Sequence, residues 1–370
     1  MVGTQGAQDQ AKLREEMESA RSVFKTSQVQ NLQAWQEAFH SQVPEVLYHY
    51  TSATGLTGIL ESQSLWASDV RFMNDASEFV YASDLIKQTV REVLDPIADE
   101  RLRPLIQGMD NFATAFEIGF LRPFCACLCE EGDLLSQWRG YTRDALGYSL
   151  GLDLVRRRLQ ITPSEAFLRK VVYDKERQHA WIQRITQTWL NSAQNWLDSI
   201  EYSRISPFVI QSTLKTTLEE ALLELYLCFK NPAFQEEKEW RLIMVVALDD
   251  ELQLVEDQLR SKQDEKRRQQ YVTQYGIELP QSPRPPIAHA SLAKGIDIQF
   301  RPTRLGFVPY ILLNLEGRTG VFAGRFPLPE VLVGPTENPD LTRESLTMYL
   351  RKSGYIPPLT NIRNSSVPFR

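Results

Sequence analysis

VLYHYTSATGLTGILESQSLWASDVRFMNDASEF, residues 46–79, is the stretch whose reading sets the architecture of the chain. Val46-Leu47-Tyr48 is a short apolar run that delivers His49 and Tyr50. Thr51 and Ser52 then cap a helix whose apolar positions Leu56, Ile59 and Leu60 fall at spacings of three and four. A second short strand around Leu65-Trp66-Ala67 leads into Asn74-Asp75 and Glu78. This strand–helix–strand unit therefore places an imidazole, a phenol, hydroxyls and two carboxylates near element ends, where sites are commonly grafted. His49 is one of four histidines. An ordinary histidine is satisfied in the core or at the surface. This one follows an apolar strand and precedes a hydroxyl-capped turn, so its ring is within reach of a ligand held at a helix N-terminus.

A second block, PFCACLCEEGDLLSQWRGYTRDALGYSLGLD (123–153), reads as strand, acidic turn, short helix and strand. Cys125, Cys127 and Cys129 alternate, so a strand points them to one face. That spacing does not suit a tetrahedral zinc site, and no second ligand pair stands elsewhere, so buried reduced thiols are expected. The short helix carries Ser136, Gln137, Trp138, Arg139 and Tyr141, and the strand after it carries Tyr148. Aromatic faces suit flat heterocycles and arginine clamps phosphates or carboxylates, which makes Trp138, Arg139 and Tyr141 candidate ligand contacts. The alternative is a core tryptophan beside a surface ion pair.

A third block, FKNPAFQEEKEWRLIMVV (229–246), turns at Asn231-Pro232 and enters a strand at Trp240. Glu237 and Glu239, read as strand residues, share a face. Like carboxylates so placed repel unless a cation or ligand lies between them. A run of glutamates is commonly a solvated loop, but these stand at the head of an apolar strand, where charge is costly to bury.

The remainder frames these blocks. With 370 residues, 42% hydrophobic and 24% charged, the composition is that of a soluble globular protein. A net charge of −6 argues against a dominant nucleic-acid footprint. There is neither a signal-peptide core nor an apolar run approaching the roughly 18 residues of a membrane span, so a cytoplasmic protein with no membrane partner is expected. Residues 1–44 read as an N-terminal helical arm. Its stripe of Leu13, Met17, Ala20, Val23, Phe24, Leu32, Trp35 and Phe39 stabilises the domain or, as a second reading, forms a homodimer. Residues 45–370 read as one domain, with a helical insertion at 174–229 and a charged, proline-rich insertion at 249–287. The expected fold is α+β: two small mixed sheets forming a split core with helices outside.

YHYTS, the LWAS before FMND..E, FCACLCEEGDLLSQWRGYTRDALGYSLGLD, KNPAFQEEKEWRLI and the closing NSSVPFR together resemble the bacterial domain-of-unknown-function family 2971. The layout is also similar to divergent ADP-ribosyltransferases, in which a first strand carries His or Arg, a middle block carries Ser or Tyr, and a late strand begins with the catalytic Glu. That resemblance implies NAD as the substrate, with His49, Glu237 and Glu239 catalytic. It places His49, Tyr50, Thr51, Trp138, Arg139, Tyr141 and Tyr148 at the NAD site, with Arg139 on the pyrophosphate, and requires no metal. It further implies a toxin or anti-phage effector that transfers ADP-ribose to a protein or nucleic-acid acceptor, or simply hydrolyses NAD. Breaking the nicotinamide–ribose bond develops oxocarbenium character that a carboxylate stabilises. Two other readings stand beside it. One is a magnesium-dependent phosphodiesterase or nuclease built from Asp75, Glu78, Glu237 and Glu239. The other is a binding module that senses a nucleotide without chemistry. Asn74, Asp75 and Glu78 are equally readable as turn caps.

Overall fold

Ser52 ends the first strand and opens the first helix: its hydroxyl accepts a hydrogen bond from the Gly55 N–H at 3.2 Å, so strand and helix meet at one capping residue. The structure is a computed structural model that describes residues 43–73, 77–108, 121–141, 146–153, 160–162, 165–199, 207–247, 296–303, 306–317, 322–355 and 360–368. The N-terminal arm, the 249–287 insertion, Asn74 and Asp75 lie outside the described residues.

The strands are β1 (Leu47–Ser52), β2 (Ser64–Asp69), β3 (Leu121–Cys129), β4 (Gly147–Leu152), β5 (Gln160–Thr162), β6 (Phe167–Lys170), β7 (Glu239–Ala247), β8 (Gln299–Thr303), β9 (Gly306–Glu316), β10 (Glu330–Val333) and β11 (Asn361–Asn364). They join in one mixed sheet whose main path runs β11-β10-β4-β1-β3-β2-β9-β5. From this path β7 and then β6 extend off β3, and β8 extends off β9. All these strand pairs are antiparallel except β10–β11. The α+β class holds, but the two expected sheets are one sheet that splits.

The split is made at β3. Along one edge β7 pairs with its whole length, from Leu121↔Ala247 to Cys129↔Glu239. Along the other, β1 pairs only at Tyr48↔Cys129, and β2 only at Ser68↔Cys125 and Asp69↔Phe124. Both strands leave β3 over 126–128. From there β1 continues against β4 through Ser52, and β2 lies against β9 from Ser64 to Ser68. The two halves of the sheet therefore diverge as a fork whose apex is Cys127.

Helix α1 (Ala53–Ser62) joins the prongs and buries Leu56, Ile59 and Leu60 in the same core as Leu47 and Leu65. Helix α2 (Ser77–Leu94) follows β2, α3 (Arg103–Gln107) is short, and α4 (Leu135–Tyr141) leads from β3 towards β4. Pro104 sits in the first turn of α3, a position that starts helices rather than continuing them. Helices α5 (Lys175–Ser199) and α6 (Pro207–Cys228) pack on each other and on α2. Ile210, Leu214, Leu218, Leu222 and Leu225 are wholly buried along one side of α6. Each contributes roughly 2 kcal/mol of apolar burial before chain entropy is counted. Helix α7 (Pro339–Lys352) covers β10 and β11.

β8 and β9 are a hairpin, and β9 runs eleven residues through Pro309. Pro309 lies one residue before the β2 ladder begins at Tyr310, so its missing N–H falls outside the two-sided part of the strand.

Candidate functional site

Directly opposed residues of antiparallel strands share a face, so the register orders the chemistry. Tyr48, Cys129 and Glu239 form one row across β1, β3 and β7, and Cys127 lies opposite Arg241. Cys125, Cys127 and Cys129 thus occupy one face with Glu239 and Arg241, as the alternation in the sequence implies, and all four cysteines are free thiols.

His49 follows Tyr48 at the point where β1 departs from β3. Its Nδ1 lies 2.9 Å from the Cys127 carbonyl oxygen. A carbonyl only accepts, so Nδ1 carries the proton and Nε2 is the ring's acceptor. By alternation with Tyr48 the half-buried ring leaves β1 on the face opposite Cys129 and Glu239, and it reaches the Cys127 carbonyl where β1 and β3 part. Burial, with Arg301 adding to it, lowers the imidazole pKa despite the Cys127 hydrogen bond. The ring is neutral at pH 7.

On the β7 side Cys127 lies opposite Arg241, whose guanidinium engages Glu239. Glu239 is 5% exposed and engages Arg241 Nε at 2.8 Å and Lys230 Nζ at 3.0 Å. Glu237 reaches the same Lys230 Nζ at 2.5 Å, and Glu78, from the first turn of α2, bridges Lys230 at 2.7 Å and Arg241 at 2.6 Å. Three carboxylates therefore surround two cations in a nearly dry setting. The cation demanded by the paired glutamates is Lys230, supplied just after α6. Arg241 also donates to the Leu227 carbonyl, and the Tyr173 hydroxyl accepts from the Glu239 N–H.

Glu237 is not on the strand. Pro232–Glu237 forms a 3-10 turn capped by Asn231, and Lys238 takes a left-handed conformation with φ of 43° before β7 begins. The shared face expected of Glu237 and Glu239 is thus replaced by convergence on one ammonium. The local environments separate the two groups. Burial raises both carboxyls, but Arg241 and Lys230 overcome it at Glu239 and hold it down to about 2. At Glu237 burial prevails over Lys230 and the pKa rises. The Glu237 side chain keeps 25% exposure against 6% for Glu239.

The aromatic candidates gather elsewhere, around the β3–α4 loop. Tyr50 and Trp138 are buried edge-to-face, with ring centroids 4.7 Å apart, in a small cluster with Cys129 and Leu332. The Tyr50 hydroxyl donates to the Glu131 carbonyl and accepts from the Leu134 N–H. Asp133 accepts hydrogen bonds from Trp138 Nε1 at 2.8 Å, from the Ser366 N–H and hydroxyl at 2.7 Å each, and from the Ser365 hydroxyl. The 365–367 segment thereby straps the cluster, and Val367 packs on it. Tyr148 is buried in β4 opposite Thr51. Arg139 is exposed on α4, and Tyr141 is its last residue. Among the described residues, no hydrogen bond or ion pair connects Trp138 or Arg139 with His49 or Glu239. Cys127 carries His49 on its carbonyl and faces Arg241, the partner of Glu239, across the β7 ladder, and the loop unites Tyr50 with Trp138.

Lys230, Arg241, Asp133, Ser68 and Arg301 were not singled out from the sequence. Arg241 had a readable signal: a charge inside the apolar run WRLIMVV requires a buried partner. Lys230 offered a weaker one, a lone lysine directly after a long apolar helix. Among the described residues, no group of three or more His, Cys, Asp and Glu is arranged to hold a metal ion, and no helix is long and apolar enough to cross a membrane.

The family described as protein of unknown function (DUF2971) matches residues 137–242, from α4 through the turn that carries Glu237 into β7. That span carries α5, α6, Lys230 and both glutamates, whereas the fork strands β1 and β2 precede it. No curated protein and no solved structure matches the chain.

Proposed function

We propose that the protein cleaves the nicotinamide–ribose bond of NAD and passes ADP-ribose to water or to a macromolecular acceptor. The observation that carries this reading is that Cys127 holds His49 on its carbonyl and lies opposite Arg241, the arginine that engages Glu239. An uncharged imidazole acceptor and the arginine partner of an ionised carboxylate thus flank one residue at the apex of a fork. Nε2 of His49 accepts a hydrogen bond from a ribose hydroxyl. Glu239, kept anionic by Arg241 and Lys230, stabilises the positive charge that develops on the ribose as the C–N bond breaks and nicotinamide leaves with the bonding pair. Glu237, whose pKa is displaced upward while that of its neighbour falls, takes the proton from the attacking water or acceptor. Paired carboxylates driven apart in this way are suited to separate roles. The resemblance to ADP-ribosyltransferases supports the same assignment and points to a toxin or anti-phage effector. The carboxylates weighed as magnesium ligands, Glu78, Glu237 and Glu239, are here gathered around the Lys230 ammonium.

The test is nicotinamide release from NAD by purified protein, with and without cell extract, beside His49→Gln and Glu237→Gln. Wild-type release that falls on the order of a hundredfold in His49→Gln, from loss of the hydrogen bond that orients the ribose, is the expected result. An absence of release from the wild type under both conditions overturns the reading.

A further inference from the structure

The β8–β9 hairpin brings an arginine to the fork. Arg301 lies opposite Val308, and Gln299 opposite Tyr310, which in turn lies opposite Ser68 of β2. Arg301 therefore shares a face with Ser68, and so with Cys125 and Cys127. Its Nη2 donates to the Ser68 hydroxyl at 2.7 Å. Ser68 is paired with Cys125 and His49 is fixed to Cys127, so the two anchor points stand two residues apart on β3, about 7 Å at ordinary strand rise. The carboxylate next along β2, Asp69, is turned to the opposite face by alternation, and Arg71 holds it at 2.6 and 3.0 Å.

We propose that Arg301, oriented by Ser68, forms with His49 a binding site for the diphosphate of a nucleotide lying in the fork. The Ser68 hydrogen bond fixes the guanidinium plane, and a fixed planar array of N–H donors matches phosphate oxygens better than a mobile ammonium does. Nε2 of His49, the only acceptor of the neutral ring, meets the sugar hydroxyl beside the diphosphate. Arg301 takes the place that the sequence suggested for Arg139, which is exposed on α4 away from these contacts. The proposal rests on the fork being the nucleotide cleft, but not on bond cleavage taking place there. Arg301 also lowers the His49 pKa, which gives the site an internal reporter.

Binding of ADP-ribose, inorganic pyrophosphate and adenosine to the full chain is measured by calorimetry, while the His49 imidazole is titrated by NMR and identified by its loss in His49→Gln. ADP-ribose and pyrophosphate are expected to bind and adenosine to bind at least tenfold more weakly. Arg301→Gln is expected to weaken ADP-ribose binding tenfold or more, with Arg301→Lys between the two. The His49 titration is expected to move upward on ADP-ribose binding and also in ligand-free Arg301→Gln. Should Arg301→Gln not fold, Ser68→Ala, which releases the guanidinium, is expected to weaken binding in the same direction. Equal ADP-ribose affinity in folded Arg301→Gln or Ser68→Ala, or no diphosphate binding by the wild type, overturns the proposal. Diphosphate binding without nicotinamide release leaves this site standing and removes the reaction proposed above.

Discussion

The two edges of β3 manage polar groups in opposite ways. Along the β7 edge, Glu78, Lys230, Glu237, Glu239 and Arg241 are drawn from a helix, a helix exit, a turn and a strand, and four of the five side chains are 14% exposed or less. Along the fork edge, β3 lacks a strand partner over three residues, a neutral imidazole bonds the Cys127 carbonyl there, and a serine paired with Cys125 holds a guanidinium. Charge buried without water must be matched by opposite charge at close range, so the first region is over-determined. A gap in a sheet is tolerated only where side chains replace the missing ladder bonds, so the second is built from single hydrogen bonds. The comparison teaches that a locked charge network, which includes both carboxylates proposed for catalysis, and a neutral site built from single hydrogen bonds are neighbours on one strand.

The sharpest way to break the comparison is Lys230→Met. It leaves three carboxylates around an apolar chain and is expected to cost about 3–5 kcal/mol in urea unfolding. A loss under 1 kcal/mol would mean that the cluster is solvated rather than locked.

Glu239→Gln is next, and its effect has a pH signature. The folded pKa of about 2 lies below the ordinary 4.5, so the charge stabilises the fold above pH 4.5, and this contribution is lost as pH falls through 2. Wild type should exceed the variant by about 3 kcal/mol at pH 7, with the difference shrinking between pH 4.5 and 2. Glu237, with its pKa raised, contributes with the opposite sign: its protonation favours the folded state as pH drops through the raised value. A Glu239→Gln deficit that does not vary with pH would break the assignment of the ionised carboxylate.

The smallest expected effect lies across the strand. In His49→Gln an amide donor replaces Nδ1–H on the Cys127 carbonyl, so unfolding stability should change by less than about 1 kcal/mol. A loss comparable to that in Lys230→Met would make the histidine a structural residue of the same kind as the cluster.

Much of this was legible in the sequence where one residue determines local structure. Ser52 as cap, the α1 stripe, the alternating cysteines and the helical nature of 174–229 follow from spacing. The demand for a cation between Glu237 and Glu239 was legible as well, but not its identity, because Lys230 is separated from them by a turn whose left-handed Lys238 no propensity marks. The fork was anticipated as a split core without its apex, since pairing between β1, β2 and β3 is set by register over distances that local pattern does not encode. Arg301 was invisible for the same reason: its partner, Ser68, is 233 residues away.

The strap at Asp133 has a consequence in time. Its partner Ser365 follows it by 232 residues. A ribosome adding 5–20 residues per second needs roughly ten to fifty seconds to deliver one after the other. During that interval β1, β3 and the Trp138 helix have already been made, while the serines that close over them have not. A newborn chain therefore passes through a stage in which Asp133 has the Trp138 indole to hold but not yet the serines that complete its set of donors, and the cluster lacks the Val367 contact.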